Sequence, residues 1–107
     1  MALLFINEID KDVRLGVWEM EENLNYEKFA SLPFYDRLMS LSDGRRKETA
    51  SIYSLLFAMT GNRNLVIGHE PSGKPYVEGY NIGISHTKGF VSVILSTACD
   101  VAVEIEY

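Results

Sequence analysis

Hydrophobic residues come in short runs near the start of the chain, and polar turn residues separate them. Short apolar runs bounded in this way predict β-strands. The run from 2 to 9 and the run from 13 to 20 predict two strands of a hairpin, with Asp10-Lys11-Asp12 as its turn. The polar stretch from 21 to 32 predicts a short helix. It should stop at Pro33, because the residue before a proline avoids the helical conformation.

The middle of the chain has the pattern of an amphipathic helix. Its apolar residues form a wide face between positions 43 and 60, and Ser42 or Asp43 can cap the first turn. Gly61 is typical of a helix C-terminus. Residues 34–41 predict a separate turn of helix before this one. The apolar face consists of Ala50, Ile52, Tyr53, Leu55, Leu56, Phe57 and Met59.

Strand-like runs return after Gly61, separated by tight turns at Lys88-Gly89 and over 98–100. The order of two strands, one long helix and several further strands predicts a single α+β domain over residues 1–107. In this domain the long helix packs on a mostly antiparallel sheet. The predicted elements of the second half are a loop over 68–73, a brief strand at 76–77, and strands over 81–85, 90–96 and 101–105.

Composition narrows the function classes. The 107 residues are 47% hydrophobic and 11% aromatic, which predicts a folded domain rather than a disordered segment. A net charge of −5 argues against a partner such as duplex nucleic acid, which binds a basic face. No apolar run approaches the ~20 residues of a membrane span, and the start does not resemble a signal peptide. We therefore expect a cytoplasmic protein. The single cysteine, Cys99, excludes an internal disulfide and suggests a small filler residue in a turn.

Two short motifs in the second half have polar side chains suited to an anion. In Ser72-Gly73-Lys74-Pro75, glycine and proline favour a stiff turn, and a rigidly held ammonium suits a phosphate. Ser85-His86-Thr87, before Lys88-Gly89, gathers hydroxyls, an imidazole and backbone N–H groups where a strand should end, and these could form an anion nest. Each motif also has a plainer interpretation. One is a solvent-facing turn lysine, and the other is a hairpin whose histidine bonds a backbone carbonyl.

The third motif is the alternating stretch Val101-Ala102-Val103-Glu104-Ile105-Glu106. On a strand, Glu104 and Glu106 lie on one face, roughly 6.6–7 Å apart along the chain. Two like carboxylates repel each other unless water or a cation bridges them, and Mg²⁺ binds one or two carboxylates together with phosphate oxygens. The alternative is the water-facing side of an edge strand.

Together these motifs resemble, in order and spacing, those of the 4′-phosphopantetheinyl transferases of the larger, surfactin-synthetase-activating type. Gly73-Lys74-Pro75 is similar to the family's GKP turn, and 84–89 is similar to its SHS or SHT motif. Residues 101–106 look like its metal-binding strand, and Arg45-Arg46-Lys47-Glu48 looks like the start of its basic helix. The likeness covers about 42–107, and it implies the fold of the amino-terminal half of such a protein.

The resemblance also implies a reaction. Members of this family transfer phosphopantetheine from coenzyme A to a serine of an apo acyl or peptidyl carrier protein, which is holo-[acyl-carrier-protein] synthase activity. Carried over to this chain, Lys74 and His86 would contact the phosphates of coenzyme A, while Glu104 and Glu106 would be the catalytic ligands of Mg²⁺. The implied coenzyme A site consists of Lys74, Pro75, Ser85, His86 and Thr87.

The chain departs from the family pattern in several respects. It has about half the length of that type and lacks the W-x-x-K-E motif of the second half. Ala102 and Glu104 stand where the metal strand has glycine and aspartate, and Tyr53 stands where the family's helix carries an arginine facing coenzyme A. Two interpretations follow. The chain is a transferase half that needs a second half, or it is a degenerate, non-catalytic dimerising module. A third is an unrelated acidic α+β interaction domain.

The half-length chain also predicts an assembly. Full-length members of the family are pseudo-dimers that hold coenzyme A between two similar halves, so a lone half should expose apolar surface that a partner covers. We expect an isologous homodimer, or association with a missing carboxyl-terminal half. Arg45, Arg46 and Lys47 could contact an acidic helix of the carrier protein.

Overall fold

The computed structural model describes residues 3–20 and 25–97. Its fold is α+β, as predicted, with a long helix packed on a four-stranded antiparallel sheet of order β1-β2-β6-β5. None of the helices in the described ranges is long and apolar enough to cross a membrane. The elements are β1 (Leu3–Asp10), β2 (Val13–Glu19), a 3₁₀ helix (Tyr26–Phe29), α1 (Tyr35–Met39), α2 (Asp43–Thr60), β3 (Gly68–His69), β4 (Pro75–Tyr76), β5 (Asn81–Thr87) and β6 (Phe90–Ser96).

Helix α2 has the predicted bounds. Gly61 ends it with φ 69°, a left-handed conformation that favours glycine, and its amide donates a hydrogen bond to the Phe57 carbonyl at 2.8 Å. Ser42 is the N-cap residue, but its hydroxyl makes no capping hydrogen bond. The helix buries the predicted apolar face, since Ala50, Leu55 and Leu56 are fully enclosed.

Helix α2 packs against the two central strands of the sheet, β2 and β6. Gly16 of β2 pairs with Val93 of β6, and the Val93 side chain is fully buried. A Cβ atom on Gly16 would lie 2.7 Å from the Met59 sulfur and 2.8 Å from a Leu55 methyl carbon. The absence of a side chain at this position therefore allows the helix to approach the sheet closely.

The first half of the chain follows the prediction only in part. The β1–β2 hairpin is confirmed, and Asp10 pairs with Val13, so its turn has two residues. The predicted helix over 21–32 is reduced, within the described residues, to the 3₁₀ helix and the turns that follow it. Its hydrogen bonds span three residues, and this tight geometry turns Phe29 into the core.

The second half contains more pairing than predicted. The predicted loop over 68–73 is the start of a small hairpin, in which Gly68 pairs with Tyr76 and His69 with Pro75. Strand β5 runs two residues beyond the predicted end at 85, while β6 has the predicted bounds. The predicted strand over 101–105, the turn with Cys99, and Glu104 and Glu106 lie outside the described residues.

Candidate functional site

A cleft of about 420 Å³ lies between α1, the first half of α2 and the β3–β4 hairpin. This size falls within the usual range for small-molecule sites. Its lining includes three basic side chains from different elements: Arg37 of α1, Arg45 of α2 and His69 of β3. Glu48 is the one carboxylate among the described residues that line it. The cleft therefore has a basic character suited to an anionic ligand.

Glu48 contacts two basic residues, Arg45 of the cleft lining and His86, which lies beside the cleft. Its Oε1 lies 3.4 Å from Nε2 of His86 and 3.9 Å from Nη1 of Arg45. The Glu48 side chain is 18% exposed, whereas that of His86 is 52% exposed and that of Arg45 is 69% exposed. The partly buried carboxylate thus holds two accessible cation-forming groups close together, one from the sheet and one from the helix.

Tyr53 lies on the floor of the cleft and is 4% exposed. Its ring stacks on Phe34 with centroids 3.8 Å apart, and its hydroxyl accepts a hydrogen bond from the Ile67 amide at 2.9 Å. Burial raises the pKa of Tyr53 above its ordinary value of 10.0, while the Ile67 amide and the nearby Arg37 guanidinium act in the opposite direction. The Tyr53 hydroxyl therefore links the loop after α2 to the helix by a hydrogen bond. The family resemblance implies an arginine at the position that Tyr53 occupies.

The Gly73-Lys74-Pro75 turn contributes to the cleft only in part. Gly73 and Pro75 line it, and Gly73 has φ 91°. Lys74 instead lines a separate cavity of about 80 Å³ with Glu70 and Tyr80. Pro75 lines both cavities, so the turn lies between them. The contacts of Lys74 and His86 with coenzyme A phosphates stay a prediction.

The Ser85-His86-Thr87 motif is strand rather than strand end. Ser85 pairs with Ser92 and Thr87 with Phe90, so the turn has only two residues, Lys88-Gly89. The hairpin of the plainer interpretation is confirmed, and the anion nest stays a prediction, because β5 pairs on one side only in the described sheet. Side chains alternate along a strand, so His86 shares a face with Ile84, which lines the cleft, and the two hydroxyl residues take the opposite face.

The sequence analysis did not identify two basic residues that line the cleft, Arg37 and His69. Arg37 lies on a helix of five residues, too short for a periodic pattern to reveal which side chains share a face. His69 joins the site only through its pairing with Pro75. The proximity of the histidine to the GKP turn was a usable signal, because four to six residues between two short runs permit a hairpin.

The ligands implied for Mg²⁺ were Glu104 and Glu106, which the structure does not describe. Within residues 3–20 and 25–97, no three His, Cys, Asp or Glu side chains lie close enough together to hold a metal ion. Glu48 is already engaged with Arg45 and His86.

No protein-family model matches the chain, and no curated protein matches it. The likeness to phosphopantetheinyl transferases rests on the three sequence motifs. The cleft adds an independent, chemical line of argument for an anionic ligand.

Proposed function

We propose that this chain has the amino-terminal half-domain fold of a 4′-phosphopantetheinyl transferase and that its large cleft binds coenzyme A. The observation that carries the proposal is that Arg45, Gly73 and Pro75 line one basic cleft, while His86 lies 3.4 Å from Glu48, another residue of its lining. These groups come from three of the four sequence regions that resemble the family, and they are far apart along the chain. An anion site built from the same regions is what the resemblance implies.

The cleft has chemistry suited to each part of coenzyme A. Guanidinium groups form short, charge-assisted hydrogen bonds with phosphate oxygens, so Arg37 and Arg45 are suited to its phosphates. The apolar side chains of Ile52 and Ile84 also line the cleft and can pack against the rest of the donor. A bound phosphate would compete with Glu48 for Arg45, and the carboxylate would then turn towards solvent.

The proposed reaction follows from the resemblance. A serine hydroxyl of the carrier protein attacks the phosphorus that bears the pantetheine arm, and the bond to the bridging pyrophosphate oxygen breaks. The serine proton leaves to a base, and 3′,5′-ADP departs. Mg²⁺, when bound, would neutralise charge on the pyrophosphate, with Glu104 and Glu106 as its implied ligands. The residues of the described cleft would hold and orient the donor.

Calorimetric titration of coenzyme A into the full chain, with and without Mg²⁺, tests the proposal. Binding should be saturable, and Mg²⁺ should strengthen it. Arg45→Ala and His86→Ala should each weaken it about tenfold, the effect of losing one charge-assisted contact worth about 1.5 kcal/mol. Lys88→Ala is the matched control, because Lys88 is an exposed cation in the turn of the same hairpin, whereas His86 lies 3.4 Å from Glu48 of the cleft lining.

Two results of this titration would contradict the assignment. The absence of binding with and without Mg²⁺ would remove the donor-site proposal. A large loss of affinity in Lys74→Ala, with Arg45→Ala unaffected, would instead place the donor's phosphates at Lys74, outside the lining of the basic cleft.

A non-catalytic dimerising module is the second candidate, and one observation favours it. β1 is at the edge of the described sheet, and it exposes two large apolar side chains, Phe5 (40%) and Ile9 (59%). Exposed apolar side chains on an edge strand favour pairing with another chain. An isologous homodimer through β1 would cover both.

Sedimentation equilibrium measures this assembly. The unmodified chain should sediment as a dimer, and Ile9→Lys should shift it towards monomer, because a charge on an edge strand opposes pairing. Lys11→Gln, in the adjacent turn, should leave the dimer intact. A monomer at high concentration of the unmodified chain would contradict the candidate.

A further inference from the structure

A second cleft, of about 370 Å³, lies near the opposite end of α2. It is bounded by β2, the 3₁₀ helix and the last two turns of α2 with the residues that follow. No residue that lines it also lines the first cleft. Trp18, Ser54, Phe57 and Arg63 are among its lining residues.

Two polar atoms in the walls of this cleft lack hydrogen-bond partners. Nε1 of Trp18 and Oγ of Ser54 are closed to solvent, and no group within residues 3–20 and 25–97 bonds to either. Leaving a buried polar group unpaired costs about 1–3 kcal/mol, so such atoms are rare in folded proteins. The indole N–H can only donate, and the serine hydroxyl can donate as well. Two residues of the lining, Trp18 and Ser54, therefore each hold an unused donor just beneath the surface of the cleft.

Two cations are at the rim. Arg63 and Lys28 are exposed, and each lies against an aromatic ring of the cleft: Cζ of Arg63 is 5.3 Å from the centroid of Phe57, and Nζ of Lys28 is 5.3 Å from that of Phe29. Nη2 of Arg63 donates to the Lys28 carbonyl at 2.8 Å, which links the end of α2 to the 3₁₀ helix. None of the described lining residues is acidic.

We propose that this second cleft binds a small organic monocarboxylate. The two carboxylate oxygens would accept from Trp18 Nε1 and Ser54 Oγ, and the rim cations would balance the charge. An apolar body would pack on the rings of Phe29 and Phe57. Because both donors are closed to solvent, side chains of the lining must move before the ligand can reach them.

A carboxylate fits this donor set better than a phosphate does. The walls have two donors, which match two oxygens, whereas a phosphate dianion has three terminal oxygens to satisfy and twice the charge. Two of the walls are aromatic, so an apolar group attached to the anion gains from burial. The proposal is independent of coenzyme A binding, because the two clefts share no residue.

Tryptophan fluorescence provides a direct test, since Trp18 is the only tryptophan of the chain. Hexanoate is the probe, and hexan-1-ol and inorganic phosphate are the matched ligands that lack the carboxylate or the apolar body. Hexanoate should change the emission in a saturable manner, and the other two should not. Saturating coenzyme A should leave the hexanoate titration unchanged.

Variants locate the binding. Ser54→Ala and Arg63→Gln should each weaken hexanoate binding about fivefold, which corresponds to about 1 kcal/mol, the contribution of one hydrogen bond. Ser54→Ala should still fold, because the hydroxyl has no partner and alanine favours helix. Lys11→Gln, in the distant β1–β2 turn, should bind hexanoate like the unmodified chain.

Three outcomes would overturn the proposal. No saturable change with hexanoate would mean that the cleft holds water only. An equal response to hexan-1-ol would mean a purely apolar pocket without carboxylate recognition. Unchanged affinity in both Ser54→Ala and Arg63→Gln would place the binding elsewhere on the molecule.

Discussion

Replacing Arg46 with alanine should lower the free energy of unfolding by about 2–4 kcal/mol, because two charge-assisted hydrogen bonds are lost. Nη2 of Arg46 donates to the carbonyls of Met39 and Leu41 at 3.0 and 2.9 Å. Met39 ends α1, where helix carbonyls have no partner within the helix, so the guanidinium caps α1 from the first turn of α2. Its ion pair with Asp43 adds little, because that carboxylate is fully exposed.

Denaturant unfolding followed by circular dichroism measures this effect, and Arg45→Ala is the matched control. Arg45 is the neighbouring arginine in the same helical turn, but it is 69% exposed and its one ion pair spans 3.9 Å. Its loss should cost about 0–1 kcal/mol. Equal losses in the two variants would contradict the capping role. The contrast also revises the expected carrier-binding patch, since Arg46 is committed to its own chain.

Replacing Tyr53 with phenylalanine should lower the free energy of unfolding by about 1–3 kcal/mol near neutral pH, because the buried Ile67 amide loses its acceptor. The ring should still stack on Phe34, so the decrease in unfolding free energy measures the contribution of the hydroxyl group alone. Tyr76→Phe is the control, because Tyr76 is 54% exposed, and its free energy of unfolding should stay close to that of the unmodified chain.

The same variant should reveal the raised pKa of Tyr53. Above pH 10.0 the unfolded chain releases this phenolic proton while the folded chain retains it, so protons are lost on unfolding and stability falls as pH rises. The stability from the neutral phenol is complete below pH 10.0 and is lost as the pH rises through the folded pKa. The difference between the unmodified chain and Tyr53→Phe should therefore narrow in this range. Urea unfolding at several pH values measures it, and a constant difference would contradict the assignment.

Sequence patterns correctly predicted the helices and turns whose conformation depends on residues close together in the chain. Helix α2 has a periodic apolar face and Gly61 at its end, and both signals lie within a few residues of what they determine. The β5–β6 turn was also predicted at Lys88-Gly89. The extent of β5 was not, because Ser85-His86-Thr87 is polar, and its strand conformation depends on pairing with β6.

The candidate site was predicted only in outline. Sequence reasoning selected His86 and Pro75, and the structure brings both to the region of one cleft, where Glu48 contacts His86 at 3.4 Å. It also selected Lys74, which lines a smaller cavity that Pro75 borders as well. A motif specifies which residues are neighbours along the chain, whereas strand pairing decides which of their side chains share a face.

The amino-acid sequence by itself determined the α+β plan, the long helix and the turns of the β1–β2 and β5–β6 hairpins, because apolar periodicity and turn residues act over a few positions. Tertiary structure alone decided that Gly16 gives α2 its close approach, that Arg37 and His69 join the basic cleft, and that Trp18 and Ser54 line the same second cleft. These are contacts between elements far apart along the chain. They depend on how strands pair and how the helix packs on them, which local pattern does not specify.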